Sequence, residues 1–189
     1  MNTKAETIRN KIITTADNLF YRQGFNHTSF SDIASAVGIS RGNFYYHFKT
    51  KDDILAAVIE NRKAGIKQIL NEWSEMIPSA KQRLNQYVDM IVSYQDNIVK
   101  YGCPIGTVCS ELNKLKNIHY NNATEMIMLF RDWLIEQFVL LGNDKEKAKH
   151  YAMHMLTCTQ GISVIGQAFT DPAYIRREAQ SLKDWLEKI

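Results

Sequence analysis

Arg41, Asn43, Tyr45, Tyr46, His47 and Lys51 are crowded into one segment, Ser40-Arg41-Gly42-Asn43-Phe44-Tyr45-Tyr46-His47-Phe48-Lys49-Thr50-Lys51. The chemistry such a set can do is recognition of a nucleic-acid duplex. A guanidinium donates in parallel to guanine O6 and N7, a carboxamide donates and accepts at a base edge, and a phenol ring can touch a thymine methyl. Hydroxyl, imidazole and ammonium groups satisfy phosphate oxygens, with help from backbone N–H groups at helix starts. Arg41 and Asn43 are therefore the candidate base readers, with Gly42 permitting close approach and Tyr45 beside them. Thr28, Ser40, Tyr45, Tyr46, His47 and Lys51 are the candidate phosphate-side residues. No Ser/His/Asp order, paired carboxylates, phosphate-cradling glycine loop or zinc-ligand spacing stands out, so neither an enzyme nor a cofactor or metal is expected. His150 and His154 share one helical face at i and i+4, but two imidazoles alone do not hold a metal, and His154 is read as a polar group in a pocket or core.

Two short helices and a tight turn must carry these side chains. The run from Thr28 through Ile33-Ala34 to Val37-Gly38-Ile39-Ser40 reads as a helix, a glycine turn and a second helix. Ser31 or Thr28 is placed to cap the first helix, Gly38 to leave it in a left-handed conformation, and Ser40 to cap the second. Phe44 and Phe48, at i and i+4, face inward, which turns Gly42, Asn43, Tyr45 and Tyr46 outward. A supporting helix precedes them from about Thr3 to Gln23, striped by Ile8, Ile12, Ala16, Leu19 and Phe20 and ended by Gly24. Thr50 caps a long helix that follows, from about Lys51 to Ser74.

Charge is distributed to match. Residues 1–51 hold seven Lys/Arg (4, 9, 11, 22, 41, 49, 51) against three acids (Glu6, Asp17, Asp32), whereas the rest of the 23 basic and 20 acidic residues nearly cancel. A phosphate backbone attracts such a surface through counterion release. Three prolines and nine glycines interrupt long runs of 3.6-residue periodicity, and no sustained apolar/polar alternation occurs. The chain thus reads as all-α, with about nine helices. Neither a signal peptide nor a membrane-spanning apolar run is visible, and a cytoplasmic location is expected.

Beyond residue 75 the pattern predicts a helix from Pro78 to about Tyr101 stopped by Gly102, and a short helix after Pro104. It then predicts helices from about Asn117 to Leu141, Asp144 to Phe169, and Pro172 to Lys188. Met126, Met128, Phe130, Trp133, Met153 and Met155 form a helical core first and a deformable, aromatic-lined cavity second. Thr157, Cys158, Thr159, Gly161, Ser163, Gly166 and Ala168 are small residues inside a helix. Gly there costs roughly 1 kcal/mol relative to Ala, which close helix approach would explain.

The segment from about Ile12 to Leu55, including Phe20, Gly24, Phe25 and the run Ile33-Ala34…Gly38-Ile39-Ser40-Arg41-Gly42-Asn43-Phe44-Tyr45-Tyr46-His47-Phe48…Lys51, resembles the TetR family of bacterial transcriptional regulators. The resemblance implies a three-helix DNA-binding domain at 1–50 and a helical effector-binding and dimerisation domain at 51–189. It further implies a homodimer through the last two helices, to which Ile175, Ala179, Leu182, Leu186 and Ile189 would contribute a stripe. The partners it implies are double-stranded DNA with a palindromic operator and a small-molecule effector; no membrane is involved. The expected function is repression relieved by a small, mainly apolar effector, with Tyr94, Ile98, Cys103, Met126, Phe130, Trp133 and His154 as candidate effector contacts. The other reading is a DNA-binding accessory module without small-molecule input, controlled by protein contacts or by thiol modification. Gly102-Cys103-Pro104-Ile105-Gly106 is similar to the helix start of a subgroup in which some members sense reactive compounds and others bind aromatic drugs. Thiols at helix N-termini are the more reactive ones, and Cys103 rather than Cys109 or Cys158 is expected to be alkylated first.

Overall fold

The computed structural model describes the backbone of residues 4–189, and every side chain among them except those of Lys4 and Arg41. The expected start of the first helix at Thr3 lies outside the described residues. In order, the helices are α1 (Lys4–Gln23), α2 (Phe30–Val37), α3 (Arg41–His47), α4 (Lys51–Met76), α5 (Ala80–Ser93), α6 (Gln95–Tyr101), α7 (Gly106–Lys114), α8 (Tyr120–Leu140), α9 (Lys145–Phe169) and α10 (Pro172–Leu186). No strand occurs among the described residues. Nor is any described helix long and apolar enough to cross a membrane.

The chain forms two compact units. One comprises Met1–Ala64 and Thr107–Met126; the other comprises Gly65–Gly106 and Ile127–Ile189. In the first, Ile12, Ala16 and Phe20 of α1 are buried, as are Ile33, Ala34 and Val37 of α2, and Phe44 and Phe48. Phe20 meets Phe25 edge-on at 5.2 Å. Arg62 Nε donates to Asp17 at 2.6 Å and Lys63 Nζ to Glu125 at 2.5 Å, which fastens α4 to α1 and to α8.

The second unit departs from the sequence reading in two places. The single helix expected from Pro78 to Tyr101 is two, because Tyr94 leaves helical geometry (φ −96, ψ 5). Ser93 Oγ donates to the Asp89 carbonyl at 2.9 Å, a back-bond of the kind that bends helices. The small residues of α9 also divide between two faces. Thr159, Ser163 and Gly166 are buried, whereas Thr157, Gly161 and Ala168 are exposed. Gly166 is required within the chain: a Cβ there would lie 2.5 Å from Ile175 Cγ1. Ile175, Ala179, Leu182 and Leu186 are buried in the unit, with α10 lying against α5 and α9. Most of the stripe assigned to a partner therefore packs at home, and only Ile189 is exposed.

Candidate nucleic-acid interface

The local sequence sets the two short helices. Ser29 Oγ accepts from Asp32 N at 3.0 Å while Asp32 Oδ2 accepts from Ser29 N at 2.8 Å, a reciprocal capping box. Ser29 is thus the cap, not Thr28 or Ser31. The Ser29 amide first, and its hydroxyl second, hold the Asp32 carboxyl below the usual carboxylate range. Thr50 and Asp53 repeat the arrangement at the start of α4, where the Thr50 hydroxyl and then its amide depress Asp53. Carboxylates depressed in the folded state contribute stability that is lost as pH falls through their folded pKa, so both caps persist at neutral pH. Gly38 closes α2 at φ 75, ψ 35, donating to Ala34 O and Ser35 O, and Ser40 Oγ accepts from Asn43 N at 3.4 Å to open α3.

On this frame Phe44 is fully buried and Phe48 nearly so, while Gly42 and Asn43 are exposed. Tyr46 is 73% exposed and Tyr45 49% exposed. Tyr45 is not free-standing: it stacks on Phe30 at 4.8 Å and 26°, and Phe30 meets Phe44 edge-on at 4.5 Å. Phe30, Ser31, Ala34, Phe44 and Tyr45 line a crevice of about 220 Å³. His47 is half-buried and lies edge-on to Tyr46 at 5.1 Å. The Arg41 side chain, the expected guanine reader, lies outside the described side chains.

Two expected phosphate contacts are spent inside the protein. Thr28 is 0% exposed; its hydroxyl donates to Gly24 O at 2.7 Å and accepts from Gln23 Nε2 at 3.2 Å. Lys51 Nζ donates to Phe25 O at 2.8 Å and Thr28 O at 3.0 Å, and lies 4.2 Å from the Phe25 ring centre. Both residues fix the turn before α2, Thr28 buried and Lys51 half-buried. The sequence reading also missed supporting cations. Arg9 lies 5.0 Å over the Phe48 ring, Lys11 donates to Val37 O at 2.9 Å, and Lys49 to Tyr45 O at 2.6 Å. Their place in the basic segment was visible; their partners, far off in sequence for Arg9 and Lys11, were not.

Of the candidate effector contacts, Ile98, Phe130 and Trp133 are buried in the second unit and Cys103 is half-buried there. Met126 is buried in the first unit. Tyr94, 52% exposed, and His154, exposed and 4.6 Å from the Trp185 ring, lie on the surface and not in a pocket or core. Beside Phe130, at 5.6 Å, stands Tyr87, which sequence reasoning missed. Its phenol is hydrogen-bonded to Thr159 Oγ1 at 3.2 Å, and burial pushes its pKa up. Since the Thr159 hydroxyl donates to Leu156 O, Tyr87 is the donor. Cys103 Sγ accepts from Gly106 N at 3.4 Å and from Gln160 Nε2 at 3.5 Å, and a Cβ at Gly106 would collide with the Gln160 amide. Gly102, at φ 80, ψ −170, supplies the bend before it. Among the described residues no three His, Cys, Asp or Glu side chains gather as a metal site would need.

Residues 12–58 match the family model described as bacterial regulatory proteins, tetR family. The HTH-type transcriptional regulator of the lacX 3′ region of Lactococcus lactis subsp. lactis is 34% identical over 184 residues, covering 96% of this chain and 94% of that protein. The HTH-type transcriptional repressor DhaR of Mycobacterium sp. (strain GP1) is 24% identical over 129 residues, 67% of this chain and 62% of that one. Among solved structures, a TetR transcriptional regulator from Legionella pneumophila superposes with a TM-score of 0.83 at 24% identity, covering 100% of this chain and 97% of the other.

Proposed function

We propose that this chain, which belongs to the TetR family of bacterial regulatory proteins and is a DNA-binding transcriptional regulator, represses from a palindromic operator as a homodimer and is released by a small, mainly apolar effector. Residues 1–50 supply the DNA contacts in this reading, and residues 51–189 the effector and dimer contacts. Base reading falls to Arg41, Gly42 and Asn43, with Tyr45 offering its ring and the apolar crevice beside it to a thymine methyl. Ser40, Tyr46 and His47 face the phosphates. Arg41→Ala relaxes preference at one base pair by roughly 1–3 kcal/mol, whereas Tyr46→Ala weakens binding to all sequences alike. Unchanged selectivity in Arg41→Ala removes it as a base reader.

The observation that carries the dimer is Gly161. It lies mid-helix and exposed, with nothing within 4 Å of where a Cβ would stand, so no neighbour within the chain accounts for it. Val164 and Phe169 are exposed on the same helix. Two-fold pairing through that face doubles what one short recognition helix can read. Sedimentation at micromolar concentration, with selection of duplexes from a random pool, tests this: a monomer, or a selected site without two-fold symmetry, overturns it.

Ligand and operator antagonise one another reciprocally when the ligand prefers a conformation that the operator disfavours. The effector contacts in this reading are Tyr87, Ile98, Phe130 and Trp133, with Cys103 at their polar side; Tyr94 and His154, being exposed, are left out. A second reading, control by thiol modification, is favoured by the two N–H donors aimed at Cys103 Sγ. Cys109 is buried and donates to Ala123 O at 3.4 Å, and burial pushes the Cys158 thiol up although His154 Nε2 lies 3.5 Å from it. Timed alkylation at neutral pH with peptide mapping therefore labels Cys103 first. Equal rates at all three sites make Cys103 a packing residue; fast labelling without loss of DNA binding makes its reactivity incidental.

A further inference from the structure

The turn from Gly24 to Thr28, which delivers the chain from α1 to α2, is gripped through both kinds of backbone group. Lys51 takes its carbonyls, as described above. Its amides are taken by Glu111 of α7, whose Oε2 accepts from Phe25 N at 2.9 Å and whose Oε1 accepts from Asn26 N at 2.8 Å. A carboxylate on two successive N–H groups forms charge-assisted bonds, stronger than neutral ones and fixed in direction. Gly24 makes room: a Cβ there would stand 3.1 and 3.3 Å from the two carboxylate oxygens, and its φ of +88 suits glycine. Just past α7, Asn117 Nδ2 donates to Asp52 Oδ1 at 3.0 Å, which ties the same stretch to the first turn of α4.

The geometry points to Glu111 as a positioning residue for operator recognition. It fixes the turn, and with it α2 and α3, in register with α7, so that a displacement of α7 is passed to the recognition helix. Glu111 needs no contact with DNA to do this. The inference rests on the reading of a sequence-specific operator and adds the element through which that specificity is held and released. It also gives α7 a role: the helix opens at Gly106, beside Cys103, and carries Glu111 a turn and a half further on.

The test uses the full chain, a duplex selected from a random pool by the wild-type protein, and an unselected duplex of equal length. Glu111→Ala is expected to bind the selected duplex at least tenfold more weakly and the unselected one within threefold of wild type. Amide exchange at Phe25 and Asn26 is expected to accelerate, with amides of Leu84 and Leu134 in the second unit unchanged. Glu111→Gln, which keeps the shape and one acceptor oxygen, should fall between the two and serves if Glu111→Ala does not fold. Binding of the selected duplex within twofold of wild type by the folded variant overturns the inference. So does equal loss on both duplexes with loss of helicity, since that marks a general collapse of the unit. If the wild-type protein enriches no duplex at all, the operator reading fails first and the inference falls with it.

Discussion

Phe44→Ala should destabilise the first unit by about 3–5 kcal/mol and abolish sequence-specific DNA binding. Among the described side chains of α3, Phe44 is the one with no exposed surface, and it is held edge-on by Phe30. Removing the ring leaves a cavity beneath a helix of seven residues, too short to persist without its tertiary anchor. The loss would be read by denaturant unfolding followed through helicity, beside a fluorescence-anisotropy titration on a selected duplex. Tyr46→Ala is the companion measurement: at 73% exposed it should cost little stability yet weaken binding. A Phe44→Ala protein that loses less than about 1 kcal/mol shows that α3 is anchored elsewhere.

Gly161→Glu should convert the protein to a monomer and lower affinity for a two-fold-symmetric duplex by a hundredfold or more. Glycine in an exposed helix interior costs roughly 1 kcal/mol relative to alanine, so within one chain the substitution favours α9 instead of harming it. If two copies pair through this face, as proposed above, the same change sets two carboxylates against each other, and like charges in a desolvated interface are strongly unfavourable. Sedimentation should show half the mass, and the melting temperature should cease to depend on protein concentration. A Gly161→Glu protein that stays dimeric and binds normally places the interface away from this face of α9.

What was legible in the sequence was local. Gly38, Ser40, Phe44 and Phe48 lie within a few residues of the groups they govern, so turn chemistry and i, i+4 spacing sufficed to place them. The cap of α2 was misplaced by one or two positions because Thr28, Ser29 and Ser31 are all capping types; only the return bond from Ser29 N to Asp32 decides among them. The break at Tyr94 has no Gly or Pro to announce it, so the apolar spacing runs straight through it. An apolar stripe states that a face is covered and not what covers it, which is why Ile175, Ala179, Leu182 and Leu186 were assigned to a partner but pack within the chain. Lys51 was assigned to a phosphate, and Glu111 was not singled out, for a related reason: the groups they satisfy are backbone atoms, which carry no sequence signature.

The unit that carries the recognition helix is assembled from Met1–Ala64 and Thr107–Met126, and this has a consequence for synthesis on the ribosome. Chains grow at about 5–20 residues per second and early domains usually fold as they emerge. Here Glu111, Leu112, Asn117 and Ala123 are absent when α3 emerges, and the intervening segment takes on the order of several seconds to add at that rate. Through that interval Lys51 can take the carbonyls of the turn before α2, but the carboxylate that takes its amides has not been made. A chain cut short before α7 therefore carries its recognition helix without the carboxylate that takes the Phe25 and Asn26 amides.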